Sequence, residues 1–216
     1  MIWESRAFHS RAFRISWHVL NFFIPLLFDW RISGREHVPA DGRFLAASNH
    51  VALFDPPYVG ACLPREVGFL AKKELFANPL LRWFIAAHNA VPIRRGGWDT
   101  AAFRYVKNKL DQGIPVTIFP EGTRSRSSRF LEPKPGLGLL AIKLGMPVLP
   151  VFIDGTQRRL AELLLRRKPL VCRIGTMIPA ASIRKFSDDR EGYQSLSQFV
   201  MERIGELRDQ EHASRA

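Results

Sequence analysis

Six short apolar runs recur along the chain, at residues 44–47, 67–71, 90–93, 116–119, 148–153 and 170–174. Polar, glycine or proline positions bound each run, and none alternates cleanly between apolar and polar. That pattern suits strands buried on both faces, as in a parallel sheet. Between the runs the apolar period lengthens to three or four. Trp98, Ala101, Ala102, Tyr105, Val106 and Leu110 share one helical face that Gly113 closes, and further helices fit 79–87 and 137–144. Tyr193, Leu196, Val200, Ile204 and Leu207 set a last helix near the C-terminus. Strand and helix alternate, so the expected fold is an α/β domain with a mostly parallel mixed sheet flanked by helices. Pro150 inside its apolar run points to an edge strand or a bend.

The N-terminal stretch has a different texture. Between Phe8 and Trp30 aromatic and aliphatic residues crowd together, flanked or interrupted by Arg6, Arg11, Arg14 and Arg31. Asn21, Pro25 and Asp29 break the run below the ~20 residues that a bilayer crossing needs. It does not end in a small-x-small cleavage site, so a signal peptide is not indicated. An amphipathic helix, or helix pair, lying in the headgroup region fits the aromatics and arginines; the alternative is that these aromatics cap the core. The chain is thus expected to divide into a membrane-associating helical segment, 1–33, and an α/β domain, 34–216.

Charge sharpens this picture only in part. The 216 residues carry 32 Lys+Arg against 20 Asp+Glu, a formal +12. Such an excess favours an anionic partner: nucleic acid, an acidic membrane surface or a phosphorylated substrate. A cluster of Arg158, Arg159, Arg166, Arg167 and Lys168, opposed by Glu162, suits either anionic lipid or a solvated helix face. The two cysteines, Cys62 and Cys172, sit far apart in apolar contexts, as reduced buried thiols do, and offer no zinc or disulfide spacing.

Candidate chemistry gathers where the apolar runs end. The first run leads into Asn49-His50, and Asp55 follows five residues later, with Pro56 and Pro57 suited to a helix start. Histidine exchanges protons near neutrality, and a buried carboxylate on one ring nitrogen fixes its tautomer. Later runs end in Lys72, in Arg94-Arg95 and in the loop Phe119-Pro120-Glu121-Gly122-Thr123-Arg124-Ser125. Ends of parallel strands meet on one edge of a sheet. Gly136-Leu137-Gly138-Leu139-Leu140-Ala141 matches a dinucleotide fingerprint but comes after a polar, proline-broken stretch in place of a strand, so close helix packing explains it better. No nucleophile elbow, phosphate loop or metal-binding motif is present. A base, cations and no protein nucleophile together point to acyl transfer straight onto a substrate hydroxyl.

These stretches also carry a resemblance. Asn49-His50 with Asp55, Val91-Pro92-Ile93-Arg94-Arg95, Phe119 to Ser125, and Val148-Leu149-Pro150-Val151 resemble, in that order, the four motif blocks of the glycerophospholipid acyltransferases. The likeness is strongest to the branch that acylates 1-acylglycerol 3-phosphate, and Ala71-Lys72-Lys73-Glu74-Leu75 resembles the segment between its first two blocks. It implies an acyl-CoA or acyl carrier protein donor, a lysophospholipid acceptor (lysophosphatidate) acylated at its sn-2 hydroxyl to phosphatidate, no cofactor, no metal, and no acyl-enzyme. It further implies a peripheral or monotopic place on the cytoplasmic face of the cell membrane, against an anionic surface. His50 would be the base and Asp55 its partner; Lys72, Arg95 and Arg124 would hold the acceptor phosphate. Asn49, Glu121, Gly122 and Thr123 would position substrate, and Pro150 would line the acyl side. Asn89 stands where the family commonly has glycine. The same chemistry on glycerol 3-phosphate, a lyso-aminolipid or a glycolipid is the near alternative. A basic nucleic-acid-binding domain is the distant one, but it lacks a binding motif and leaves His50 unexplained, so no nucleic acid is expected.

Overall fold

A computed structural model describes residues 10–93, 100–125, 129–166 and 168–215 of the chain. Among these residues seven strands form one sheet: β1 (Trp30–Ser33), β2 (Leu45–Ser48), β3 (Gly68–Lys72), β4 (Ala90–Ile93), β5 (Val116–Ile118), β6 (Val148–Asp154) and β7 (Leu170–Ile174). Their order is β1-β7-β6-β2-β5-β3-β4. Every neighbouring pair is parallel except β6 with β7, so β1 and β7 run against the other five. The C-terminal ends of β2, β5, β3, β4 and β6 therefore share one edge, as their residues predict.

Side chains alternate between two cores. Leu45 and Ala47 of β2, Val116 and Ile118 of β5, and Val148 and Phe152 of β6 face one core with α4 (Thr100–Asp111), α5 (Gly136–Leu144) and α8 (Arg190–Ala213). Ala46, Leu149, Val151 and Ile153 face the other, with α1 (Arg11–Leu27) and α2 (Asp55–Cys62). Burial on both faces is why these strands read as continuous apolar runs. The remaining helices are α3 (Pro79–Ala87), α6 (Leu160–Leu164) and α7 (Ala180–Ile183). Cys62 and Cys172 are buried free thiols in the second core, and burial raises the Cys172 thiol well above its ordinary range.

Two expectations need correction. Residues 30–33, assigned to the N-terminal helical segment, instead pair with β7 as the edge strand β1. The helix stops at Leu27, and the sheet takes up 30–33 because their burial alternates, Trp30 and Ile32 half-buried against the core and Arg31 and Ser33 exposed. Pro150 is not on an edge strand, since β6 lies between β7 and β2. It is tolerated because the pairing slips by one residue there, from the Val148–Ile178 bridge to the Val151–Ile174 pair. Such a bulge removes the demand for the missing N–H.

α1 is seated by polar contacts as well as apolar ones. Ser10 caps it, and the Ser10 amide donates to Glu66 Oε2 (2.8 Å). Phe13 and Trp17 turn inward, while Ile15, Val19, Phe22, Phe23, Leu26 and Leu27 are exposed. Trp17 Nε1 donates to the Leu63 carbonyl (2.7 Å), Asn21 Nδ2 to that of Ala61 (2.9 Å), and Arg35 Nε to that of Cys62 (2.9 Å). These are the last carbonyls of α2 and the residue beyond it, which have no partner within the helix. Among the described residues no helix is long and apolar enough to cross a membrane.

The glycines of α5 test the packing. A Cβ on Gly138 would lie 2.0 Å from the Tyr193 carbonyl oxygen of α8, whereas one on Gly136 would meet nothing within 4 Å. Gly138→Ala is expected to cost about 1–3 kcal/mol by overpacking and lower Tm by several degrees. Gly136→Ala should stay within ~0.5 kcal/mol of the parent. Equal melting curves for the two variants would refute this account of α5.

Candidate active site

The shared edge of the sheet opens with a side chain that prolongs β2 by mimicking backbone. Asn49, 1% exposed, donates from Nδ2 to the Ile153 carbonyl and accepts on Oδ1 from the Ile153 amide, both at 2.9 Å. The next residue, His50, is thereby fixed where strand pairing ends. Its Nδ1 donates to Asp55 Oδ2 at 2.7 Å. The turn between them brings the two together, and α2 starts on Asp55 with Pro56 and Pro57 in its first turn.

Asp55 is fully buried, so its charge requires compensation. Oδ2 also accepts from the amides of Val51 (2.6 Å) and Ala52 (2.7 Å), and Oδ1 accepts from the Thr156 hydroxyl. The N-terminal end of α2 adds a favourable dipole. The His50 side chain keeps 14% exposure. Its ring stacks on Phe119, centroids 4.3 Å apart, and its Nε2 has no hydrogen-bond partner among the described residues. An imidazole held at Nδ1 by a carboxylate and open at Nε2 can remove a proton from a hydroxyl placed there.

The loop after β5 locks onto the same turn. Glu121, 1% exposed, accepts from the His50 amide on Oε1 and from the Leu131 amide on Oε2, both 2.8 Å. Burial raises its carboxyl above the ordinary range, against the lowering by those two N–H groups. Ser125 N donates to the His50 carbonyl (2.8 Å). Gly122 adopts φ +64°, a conformation that favours glycine. Thr123 and Arg124 are exposed, and so is Lys72. By strand register Lys72 lies level with Asn49, two spacings or about 10 Å across the sheet. Arg94 and Arg95 fall outside the described residues.

Beside the turn lies an apolar groove of about 460 Å³ between α1, α2, α3 and β3. Trp17, Leu20, Leu53, Phe54, Phe69 and Phe84 are among its walls, and His88 contributes a polar edge through Nε2 to Ser16 Oγ (2.8 Å). Pro150 is not part of it. With period 2 along β6, Pro150 shares the α8 face with Val148 and Phe152, and its ring would touch a side chain at Gly175 near Leu207. Pro150 therefore lies on the opposite face of the sheet from this groove.

Comparison with known proteins decides the class. The acyltransferase family matches residues 29–154, more than half of the chain. The chain belongs to the acyltransferase family. A 1-acyl-sn-glycerol-3-phosphate acyltransferase of Streptococcus pneumoniae is 28% identical over 195 residues, 85% of this chain and 71% of that protein. One of Bacillus subtilis is 30% identical over 126 residues, 58% of this chain and 62% of that one. A chloroplastic relative from Brassica napus is 30% identical over 58% of this chain, which spans only 37% of it. Among solved structures, the 1-acyl-sn-glycerophosphate acyltransferase of Thermotoga maritima is similar with a TM-score of 0.69 and 28% identity, covering 91% of this chain and 79% of that one.

Within this acyltransferase the sequence-derived residues divide. The structure brings together His50, Asp55, Asn49 and Glu121, while Gly122, Thr123, Arg124 and Lys72 lie on the same sheet edge. Both oxygens of Glu121 also accept from backbone amides, which ties this residue to two loops. Two residues escaped the sequence reading. Phe119 sits inside a motif block, but its stacking on His50 leaves no mark in spacing. Thr156 lies just past the end of β6, and its strand-end position was the available signal.

Glu121→Gln offers a check on the loop lock. A glutamine has one acceptor oxygen, so either the His50 or the Leu131 amide would face an NH₂. The expected loss is about 1–3 kcal/mol in urea unfolding, with faster hydrogen exchange at one of those two amides. Unchanged exchange at both would show that the carboxylate does not hold the loops.

Proposed function

We propose that this acyltransferase is a 1-acylglycerol-3-phosphate O-acyltransferase that moves a fatty acyl group from a thioester to the sn-2 hydroxyl of lysophosphatidate, giving phosphatidate. The observation carrying this reading is the buried Asp55 carboxylate on His50 Nδ1 at 2.7 Å with Nε2 left open. The names and substrates of the relatives above support it.

In this mechanism His50 Nε2 takes the hydroxyl proton as the oxygen attacks the thioester carbonyl. Asp55 stabilises the imidazolium that forms, and its four donors hold the carboxylate in place. Collapse of the tetrahedral centre breaks the C–S bond. The thiolate then takes the proton from His50 or from water, a small demand for a group whose ordinary pKa is ~8.5. The chain's residues carry no acyl group at any stage.

Exposed Lys72 and Arg124, joined by Arg95, would hold the acceptor phosphate. Anchoring the acceptor by a group that does not react converts binding energy into orientation of its hydroxyl. The apolar groove would take a fatty chain, since Leu53 and Phe54 of its wall belong to the same turn as His50. Glu121 and Asn49 act as positioning residues that fix the His50 backbone. The outward apolar face of α1 would rest in the headgroup region at the cytoplasmic face of the membrane. The donor is an acyl-CoA or an acyl carrier protein thioester.

The test is thiol release by the purified full chain given lysophosphatidate and each donor. His50→Ala should lower the rate by about 10²–10⁴, with no acyl-enzyme trapped in the parent. Lys72→Ala and Arg124→Ala should raise KM for lysophosphatidate more than they lower kcat. Activity surviving His50→Ala, or acyl group found on the protein, would refute this mechanism.

A further inference from the structure

The helix α6 stands apart from the site chemistry. Only Leu163 of its leucines turns inward, 7% exposed, while Leu160 is 62%, Leu164 47% and Leu165 63% exposed. Arg159, Arg166 and Lys168 around them are exposed as well. Three large apolar side chains facing water within six residues, ringed by cations, are not required by the fold.

The end of α6 is tied to the end of α1. Arg166 Nη2 donates to the Pro25 and Leu26 carbonyls, at 3.1 and 2.7 Å. These belong to the last turn of α1, whose carbonyls lack helical partners and attract cations. Arg166 itself holds φ +52°, uncommon for a residue with a side chain. The contact ties the C-terminal end of α6 to the end of α1 that carries the exposed Leu26 and Leu27.

We infer that α6 is a second lipid foot, its leucines entering an anionic bilayer surface beside α1 while Arg159 and Lys168 meet lipid headgroups. This rests on the reading that α1 lies on a membrane and extends the footprint to the connection between β6 and β7. An anionic leaflet suits both parts of the surface, since each cation near it adds attraction and the leucines gain an apolar medium. An acidic protein partner would match the cations but leave the continuity with the apolar face of α1 without purpose.

Vesicle sedimentation of the full chain tests this, with phosphatidylcholine alone and with phosphatidylcholine doped with phosphatidylglycerol. The variants are L160S/L164S/L165S, R159Q/K168Q and, on α1, F22S/L26S. The leucine variant should bind both vesicles about tenfold more weakly. The charge variant should lose about tenfold on the doped vesicles only, and less at high salt. As a check independent of folding in the triple variant, a fluorophore on Leu164→Cys should blue-shift on adding doped vesicles. Parent-like binding by the leucine variant together with an unshifted fluorophore would overturn the proposal, and loss in F22S/L26S alone would leave the α1 seat standing. If F22S/L26S also binds like the parent, the membrane reading itself fails. Selective loss of acyl carrier protein use with unchanged sedimentation would reassign the surface to a protein donor.

Discussion

A carboxylate with no access to water governs this site. Asp55 is buried completely, and a carboxylate in such a place is costly without hydrogen-bond partners. It remains useful because four donors converge on it: the His50 ring, two amides of its own turn and the Thr156 hydroxyl. They come from three different constraints. The ring is placed by the end of β2, the amides by the tight turn into α2, the hydroxyl by the loop after β6. The loop after β5 joins through Glu121 and the His50 amide. The sheet order is what allows this, because β5 and β6 flank β2 on either side.

The sheet also separates tasks by face. The α8 side is a closed core in which Gly138 lets two helices touch backbone to backbone. The other side carries α1, α2, α3 and the apolar groove. One face can stay rigid while the other presents apolar surface.

Much of this was legible in the residues. Strands buried on both faces announce themselves as unbroken apolar runs, and parallel strands must end together, so His50, Lys72 and the 119–125 loop could be placed on one edge. The features that escaped depend on partners remote in sequence. β1 is a four-residue strand whose only claim to being one is β7, some 140 residues later. Pro150 is interior because a bulge opposite it removes the need for an N–H, and a bulge has no local sequence sign here. The resemblance marked Glu121 for substrate positioning, and the two backbone amides it also holds, remote in sequence, left no local sign. Asn89 has a clearer logic in hindsight. It holds φ +59°, which explains why glycine suits that position, and its side chain bonds both Glu66 and Lys109 beneath the sheet.

The contacts that seat α1 have a practical meaning. Trp17, Asn21 and Arg35 together satisfy the closing carbonyls of the helix whose first residue is Asp55. Trimming the N-terminal helix to obtain a more tractable protein would strip two of those three donors, bare the apolar groove, and loosen the far end of the element that carries the acid. The N-terminal helix and the turn that carries His50 and Asp55 are mechanically one piece, so solubility gained by truncation would come with a slack carboxylate–imidazole contact.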